Sequence, residues 1–303
     1  RNNFVNLRLN LIGIQIIIAR RYGEGNYGRI GIIFEHGSLF VLLLGSILFS
    51  ILYFFSDQLL YLLIDSPNIY DASIEYIKYR RFGIMFVCFN FLYRALYIGI
   101  SDTKVITYST IIMAIVNIFL DYCLIFGNFG FPEMGIGGAA LASFCAEVSV
   151  FVFFTIYSYI KLTKKDYGMF KIHKLEPELM GRILKIATPT MIQKLFSFSV
   201  WFIFFILIEK MGETATGISS IVRSVYMILI TPCFAFATTT NTIVSRIIGE
   251  GHSDQVFSTI FKILKNCMLC TIPIIILVAI FPMQIIRIYT DDLNLAQLVI
   301  PSI

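Results

Sequence analysis

The chain has 303 residues, 57% of them hydrophobic and only 14% charged, with a mean hydropathy of +0.81. A water-soluble domain carries about a quarter charged residues, so this composition excludes a soluble globular enzyme and makes lipid the solvent. The net charge of +5 is the small basic excess of a membrane protein's loops, and it excludes a nucleic-acid footprint.

Eight apolar spans follow one another, with approximate cores at 4–19, 38–56, 82–100, 105–126, 136–160, 186–208, 217–244 and 263–286, and a ninth begins near Leu293. A bilayer helix needs about 20 apolar residues, so the first span reads as cut short. The predicted class is an all-α polytopic membrane protein built from two pseudo-symmetric helical bundles. Residues 1–160 are expected to form the amino-terminal lobe, 161–181 a cytoplasmic linker and 182–303 the carboxyl-terminal lobe. The linker is the longest polar stretch, is rich in Lys and holds Pro177; it reads as solvated, with a short surface helix starting near Glu176.

An internal repeat supports the two bundles. IIIARRYGEG, ending at Gly25, is repeated as TIVSRIIGEG, ending at Gly251. Arg20 and Arg246 are 226 residues apart, as are Asp65 and Asp291, and Asn68 and Asn294. Such symmetry is the mark of bundles that face a shared pathway. Arg1 aligns with Met227, inside a span, so the chain is expected to open within a helix and to be a fragment. The GEG segments read as tight turns in which Gly takes positive φ.

Loop charge sets the topology. Arg20, Arg21, Arg29, Lys104, the linker lysines, Arg246, Lys262 and Lys265 lie on the predicted cytoplasmic side, while the alternate connections carry Asp57, Asp65, Asp71, Glu133, Glu209, Glu213, Asp291 and Asp292. Lys78, Arg80 and Arg81 break this pattern and are expected in the headgroup zone or a water-filled vestibule.

The chemistry sits in polar residues within the spans. Asn117 and Asp121 share one helix face at i, i+4. A carboxylate in a bilayer span is costly unless it faces protein or water, and it marks an ion or proton site or a helix-packing hydrogen bond. An Asn carbonyl with an Asp carboxylate suits Na+ or a proton. Glu147 lies mid-span in the next helix, as a cavity group or as interhelical glue, and Ser143 is one turn earlier. In the second half, Pro189 is expected to kink its helix and free backbone carbonyls that must face a cavity or a partner. Gln193 and Lys194 follow, the latter about 13 Å deeper than Lys185. Pro189, Gln193 and Lys194, with Glu147 and Asn90, are expected to line a cavity. Gln15 and Asn241 are repeat partners and are expected to make symmetric helix contacts. The six cysteines fall in apolar spans and read as small apolar groups. No nucleophile–base pair or phosphate loop appears, so no enzymatic activity and no cofactor is expected.

VNIFLDYCLIFGNFGFPEMGIGGAALAS resembles the signature of the multidrug and toxic compound extrusion (MATE) transporters: N-x-x-x-D at Asn117 and Asp121, then Pro132, Glu133, Gly135, Gly138, Ala139, Ala140 and Leu141 opening the next helix. The GEG turns and YRALYIGISDTK, with Arg94, Gly99 and Asp102, are similar to other helix ends of that family. The resemblance runs from inside helix two to the start of helix ten of twelve. It implies a secondary antiporter of the inner (plasma) membrane. That antiporter would export cationic or amphipathic compounds in exchange for Na+ or H+ and act as a monomer. Asp121, Asn117 and Ser143 would form the cation-coupling site, with Na+ at Asp121 and Asn117. An Asp on helix one would complete that site. Ser197 stands where many members carry a Glu, so the carboxyl-lobe cation site departs from the pattern. A lipid-linked oligosaccharide flippase of the same superfamily is the alternative reading, with Lys194 and Arg223 as its basic groups. Acidic cavity charge would favour the first, basic the second.

Overall fold

The structure is a computed structural model and describes residues 12–63, 67–162, 167–169, 173–209, 212–287, 289 and 299. Among these residues every regular element is helical. The long elements are α1 (Ile12–Gly23), α2 (Gly28–Leu63), α3 (Pro67–Gly99), α4 (Lys104–Phe126), α5 (Gly135–Leu162), α6 (Pro177–Glu209), α7 (Glu213–Gly249) and α8 (Val256–Ile280), followed by the short α9 (Pro282–Ile286). Among the described residues, six helices are long and apolar enough to cross a bilayer: α2 to α5, α7 and α8. The chain is thus a multi-pass helical membrane protein. Leu42, Leu43, Ile47, Ile51, Phe54 and Phe55 of α2 are exposed, as expected of a helix whose outer face meets lipid instead of a protein core.

The apolar run 263–286 is not one helix. Phe281 leaves the helical region at φ −118°, ψ 45°, and Pro282 opens α9. Proline has no N–H to continue the ladder, and its ring displaces the preceding residue from α geometry. Hydropathy cannot register this break, because Pro282 is flanked by apolar residues on both sides. The ends of the first and ninth spans, and the Asp65–Asp291 and Asn68–Asn294 matches, lie outside the described residues.

The chain divides into two compact units, Arg1–Thr188 and Pro189–Ile303. In the first, α3 lies parallel to α5 and forms a buried seam with it. Tyr93 Oη is 3.1 Å from Thr155 Oγ1 and Tyr97 Oη 2.7 Å from Ser158 Oγ. Both pairs keep nearly the same sequence offset, which fixes the register of the two helices. Between them Tyr93 stacks on Phe154 at 5.3 Å, and Phe151 meets Phe86 and Phe89 edge-on. Ile14 and Ile18 of α1, and Leu92 and Leu96 of α3, complete this core. In the second unit, Cys233 of α7 lies 3.8 Å from Thr271 of α8, which Cys267 also approaches at 3.9 Å. The amides of the repeat are not symmetric: Gln15 is buried, whereas Asn241 is exposed and its neighbour Thr242 is buried.

Both GEG segments are tight turns, with Gly25 at φ +69° and Gly251 at φ +84°. Only glycine enters that region without a steric cost. Each turn is closed by the same local ion pair, Arg20 Nε to Glu24 at 3.2 Å and Arg246 Nε to Glu250 at 2.8 Å.

The described part of the linker is docked, not solvated. Tyr167 and Met169 are buried in the first unit's core. Gly31 donates its backbone N–H to the Tyr167 carbonyl at 2.9 Å, and Arg29 pairs with Glu176 at 2.5 Å. Glu35 accepts from the His173 backbone N–H at 3.2 Å and meets its ring at 2.9 Å. His36, itself buried, accepts the Glu176 backbone N–H at Nε2 (2.8 Å), while its Nδ1 lies 2.8 Å from the Ile32 carbonyl. The ring is therefore in the tautomer in which Nδ1 donates and Nε2 accepts. Burial among Tyr22 and Tyr27 pushes the Tyr167 phenol up to about 12. Lysine counts concealed this docking, because its anchors are Tyr167, Met169, His173, Glu176 and backbone groups.

Candidate functional site

The candidate cation site rests on α4 and α5. The two helices are joined by the Gly-rich loop, and the Met134 backbone N–H donates to the Leu124 carbonyl at 2.8 Å. That bond brings the start of α5 down beside the last turn of α4, one turn after Asp121. Asp121 and Asn117 stand one turn apart on α4, and both are half-buried. Asp121 Oδ1 is shielded from solvent and has no hydrogen-bond partner among the described residues. A shielded carboxylate oxygen without a donor costs free energy until a proton, a cation or water reaches it. Ser143 is half-buried on α5. Among the described residues, no hydrogen bond joins Asp121 to Asn117 or to Ser143. The three groups thus lie on neighbouring helices without consuming one another's ligand capacity.

Glu147 and Asn90 come together one turn further along α5. Glu147 is buried at the α3–α5 seam. Asn90 Nδ2 donates to the Glu147 backbone carbonyl at 2.9 Å, and Arg80 Nη2 donates to Glu147 Oε1 at 2.6 Å. Arg80 is 13% exposed at its side chain and Glu147 2%. The interhelical role that the sequence left open for Glu147 is thus filled by an ion pair inside the bundle. Arg80 is the residue that sequence reasoning missed. Its signal was present, since Arg80 and Arg81 were basic groups on an acidic side. Arg81 instead covers the Tyr53 ring at 4.6 Å, a cation–π contact.

Pro189 and Gln193 belong to the part of α6 in the second unit and are exposed, as is Ser197, whose hydroxyl donates back to the Gln193 carbonyl at 2.9 Å. The helix runs through Pro189 without interruption. The Lys194 side chain lies outside the described residues.

A family model described as MatE matches residues 9–123 and 189–301, one stretch on each side of the linker. A "Probable multidrug resistance protein NorM" of Thermotoga maritima is 29% identical over 295 residues, which is 95% of this chain and 61% of that protein. A "Probable multidrug resistance protein YoeA" of Bacillus subtilis is 25% identical over 287 residues, 92% of this chain and 61% of that protein. The chain spans about three fifths of the length of these curated relatives. Among solved structures, an outward-facing multidrug resistance MATE family transporter of the MOP superfamily superposes with a TM-score of 0.88 at 20% identity, covering 99% of this chain and 67% of that one. A MOP superfamily transporter from Pyrococcus furiosus gives 0.85, also at 20% identity, covering 99% and 66%. With the tandem helical repeat and the Asn117–Asp121 motif ahead of its Gly-rich loop, the chain belongs to the MATE family of transporters, which are membrane carriers and not enzymes.

Proposed function

We propose that the full-length protein is a secondary active antiporter of the inner (plasma) membrane. It exports cationic or amphipathic toxic compounds in exchange for Na+ or H+ and acts as a monomer. The observation that carries the reading is Asp121: a half-buried carboxylate in the family's motif, with one shielded oxygen that no described residue satisfies. The multidrug resistance names of the relatives point the same way.

In this reading Asp121 binds the coupling cation, with Asn117 and Ser143 as neutral oxygen donors beside it. Cation or proton occupancy changes the charge inside the amino-terminal lobe. The change biases that lobe between two packings, so that substrate release outward is linked to ion entry inward. Residues 1–160 and 182–303 are the two lobes, joined on the cytoplasmic side by 161–181. Asn90 and Glu147 are the further polar groups of the amino-terminal lobe, and Pro189, Gln193 and Lys194 those of the carboxyl-terminal lobe.

The test is export of a fluorescent cationic dye by the full-length protein in inverted membrane vesicles, under a Na+ gradient and a proton gradient applied separately. The expected result is export driven by one of them and lost in Asp121→Asn. Full gradient-driven export by that variant would contradict the assignment. Absence of dye movement under both gradients, in folded protein, would transfer the reading to a lipid-linked oligosaccharide flippase.

A further inference from the structure

The α3–α5 seam holds a second acid whose surroundings are unlike those of a static ion pair. The register set by Tyr93–Thr155 and Tyr97–Ser158 places Glu147 level with about the middle of α3. Arg80 then reaches it from one side and Asn90 from the other. Arg80, Gly83 and Asn90 follow one another at spacings of three and seven residues, so they share one face of α3. Between the two polar groups, Gly83 lets the carboxylate lie directly against the helix backbone: a Cβ at position 83 would stand 2.5 Å from Glu147 Oε2.

Arg80 holds Oε1 through a single nitrogen, Nη2. Oε2 is buried and without a hydrogen-bond partner among the described residues, as is Asn90 Oδ1. Guanidinium and carboxylate can make two parallel bonds, and a buried pair offsets its desolvation only when the remaining lone pairs are also satisfied. Here half of the carboxylate faces a glycine backbone where a donor would be expected. Besides Glu147, the charged and thiol groups on these three helices are Asp71, Glu75, Lys78, Arg80, Arg81, Cys88 and Arg94 on α3, Lys104, Asp121 and Cys123 on α4, and Cys145 and Lys161 on α5 itself.

We propose that Glu147 is a proton-binding group of the amino-terminal unit, with Arg80 as the resident counter-charge that a proton displaces. A proton adds to Oε2, forming one O–H bond. The carboxyl becomes neutral, the Arg80 guanidinium keeps its charge, and the pair passes from net zero to net +1. The structure holds the paired state, with Arg80 Nη2 2.6 Å from Oε1. Arg80 retains a small solvent-exposed fraction, which gives the freed cation a way toward water. In transport this deepens the antiport reading and rests on it, by giving the unit a second charge state beside Asp121. The protonation itself stands apart from that reading.

The experiment is infrared difference spectroscopy of the full-length protein in lipid bilayers, between neutral and mildly acidic pH, with dye export measured in parallel. The wild type should show the band of a protonated carboxyl on acidification. Glu147→Gln should lose it, Asp121→Asn should keep it, and Arg80→Gln should show it already at neutral pH. The same band in Glu147→Gln as in the wild type would overturn the proposal. If Glu147→Gln does not fold, Gly83→Ala decides: its added methyl intrudes on Oε2 and must move the pH at which the band appears, and an unmoved band overturns the proposal. If the band follows Glu147 while Asp121→Asn exports normally, the coupling role of Asp121 fails and the Glu147 assignment stands.

Discussion

Asp121 and Glu147 are carboxylates on adjacent helices of one unit, and they are set in opposite surroundings. Glu147 is sealed at the α3–α5 seam, its charge met by Arg80 at 2.6 Å and its backbone carbonyl held by Asn90. Asp121 is half-buried on α4 and has no such counter-charge among the described residues. A buried ion pair ties its charges to the fold, because removing either one strands the other in low dielectric. A half-open carboxylate without a donor leaves its charge available to a ligand. The contrast leaves the charge of Glu147 restrained by its partner until a proton displaces Arg80, and leaves that of Asp121 open to a ligand from the start.

The largest effect that sharpens this contrast is Arg80→Leu. It removes the counter-charge of Glu147 and should destabilise the protein by about 3–5 kcal/mol at alkaline pH, where Glu147 stays ionised, and by less where it takes up a proton, read as a lower unfolding midpoint in detergent. The double variant Arg80→Leu with Glu147→Leu should recover most of that loss. Asp121→Asn should leave the midpoint in salt-free buffer nearly unchanged, so a loss as large as that of Arg80→Leu would collapse the distinction. Next comes the docked linker. His36→Leu removes the acceptor of the Glu176 backbone N–H and should cost about 1–3 kcal/mol. It should also speed trypsin cleavage after the exposed Lys174, measured against time by gel. Tyr97→Phe deletes the hydroxyl contact with Ser158 and should cost about 0.5–1.5 kcal/mol in the same unfolding assay. The smallest changes are Arg20→Ala and Arg246→Ala. Each removes one exposed i, i+4 pair and should cost about 0.3–0.5 kcal/mol, with the two effects equal.

The two GEG turns show which part of the fold is legible in sequence. Their left-handed glycines and Arg–Glu pairs are local, set within five residues, and both appear as the repeat implies. What surrounds them is not local. After the first turn α2 begins with Arg29, Glu35 and His36, which hold the linker; after the second, α8 begins with Phe257 and Phe261, which are exposed. The spans were legible because lipid requires long apolar runs. The break at Phe281–Pro282 was hidden inside one such run. At the candidate site, the i, i+4 spacing of Asn117 and Asp121 could be read directly. The Arg80–Glu147 pair joins residues 67 positions apart, and only the register of α3 on α5 brings them together. The charge of Arg80 on the acidic side was the one local trace of it.

The central claim is that Asp121 holds the coupling cation. The most direct measurement is the unfolding midpoint of the full-length protein as Na+ is added, and separately as pH is lowered, in the wild type and in Asp121→Asn. A ligand that binds only the folded state stabilises it by RT ln(1 + [L]/Kd), so the midpoint keeps rising with its concentration. The account predicts that one of the two cations raises the wild-type midpoint, and that Asp121→Asn abolishes the rise with Na+ or cuts the rise on acidification to the share that Glu147 carries. An equal rise in both proteins would place the cation elsewhere and contradict the account.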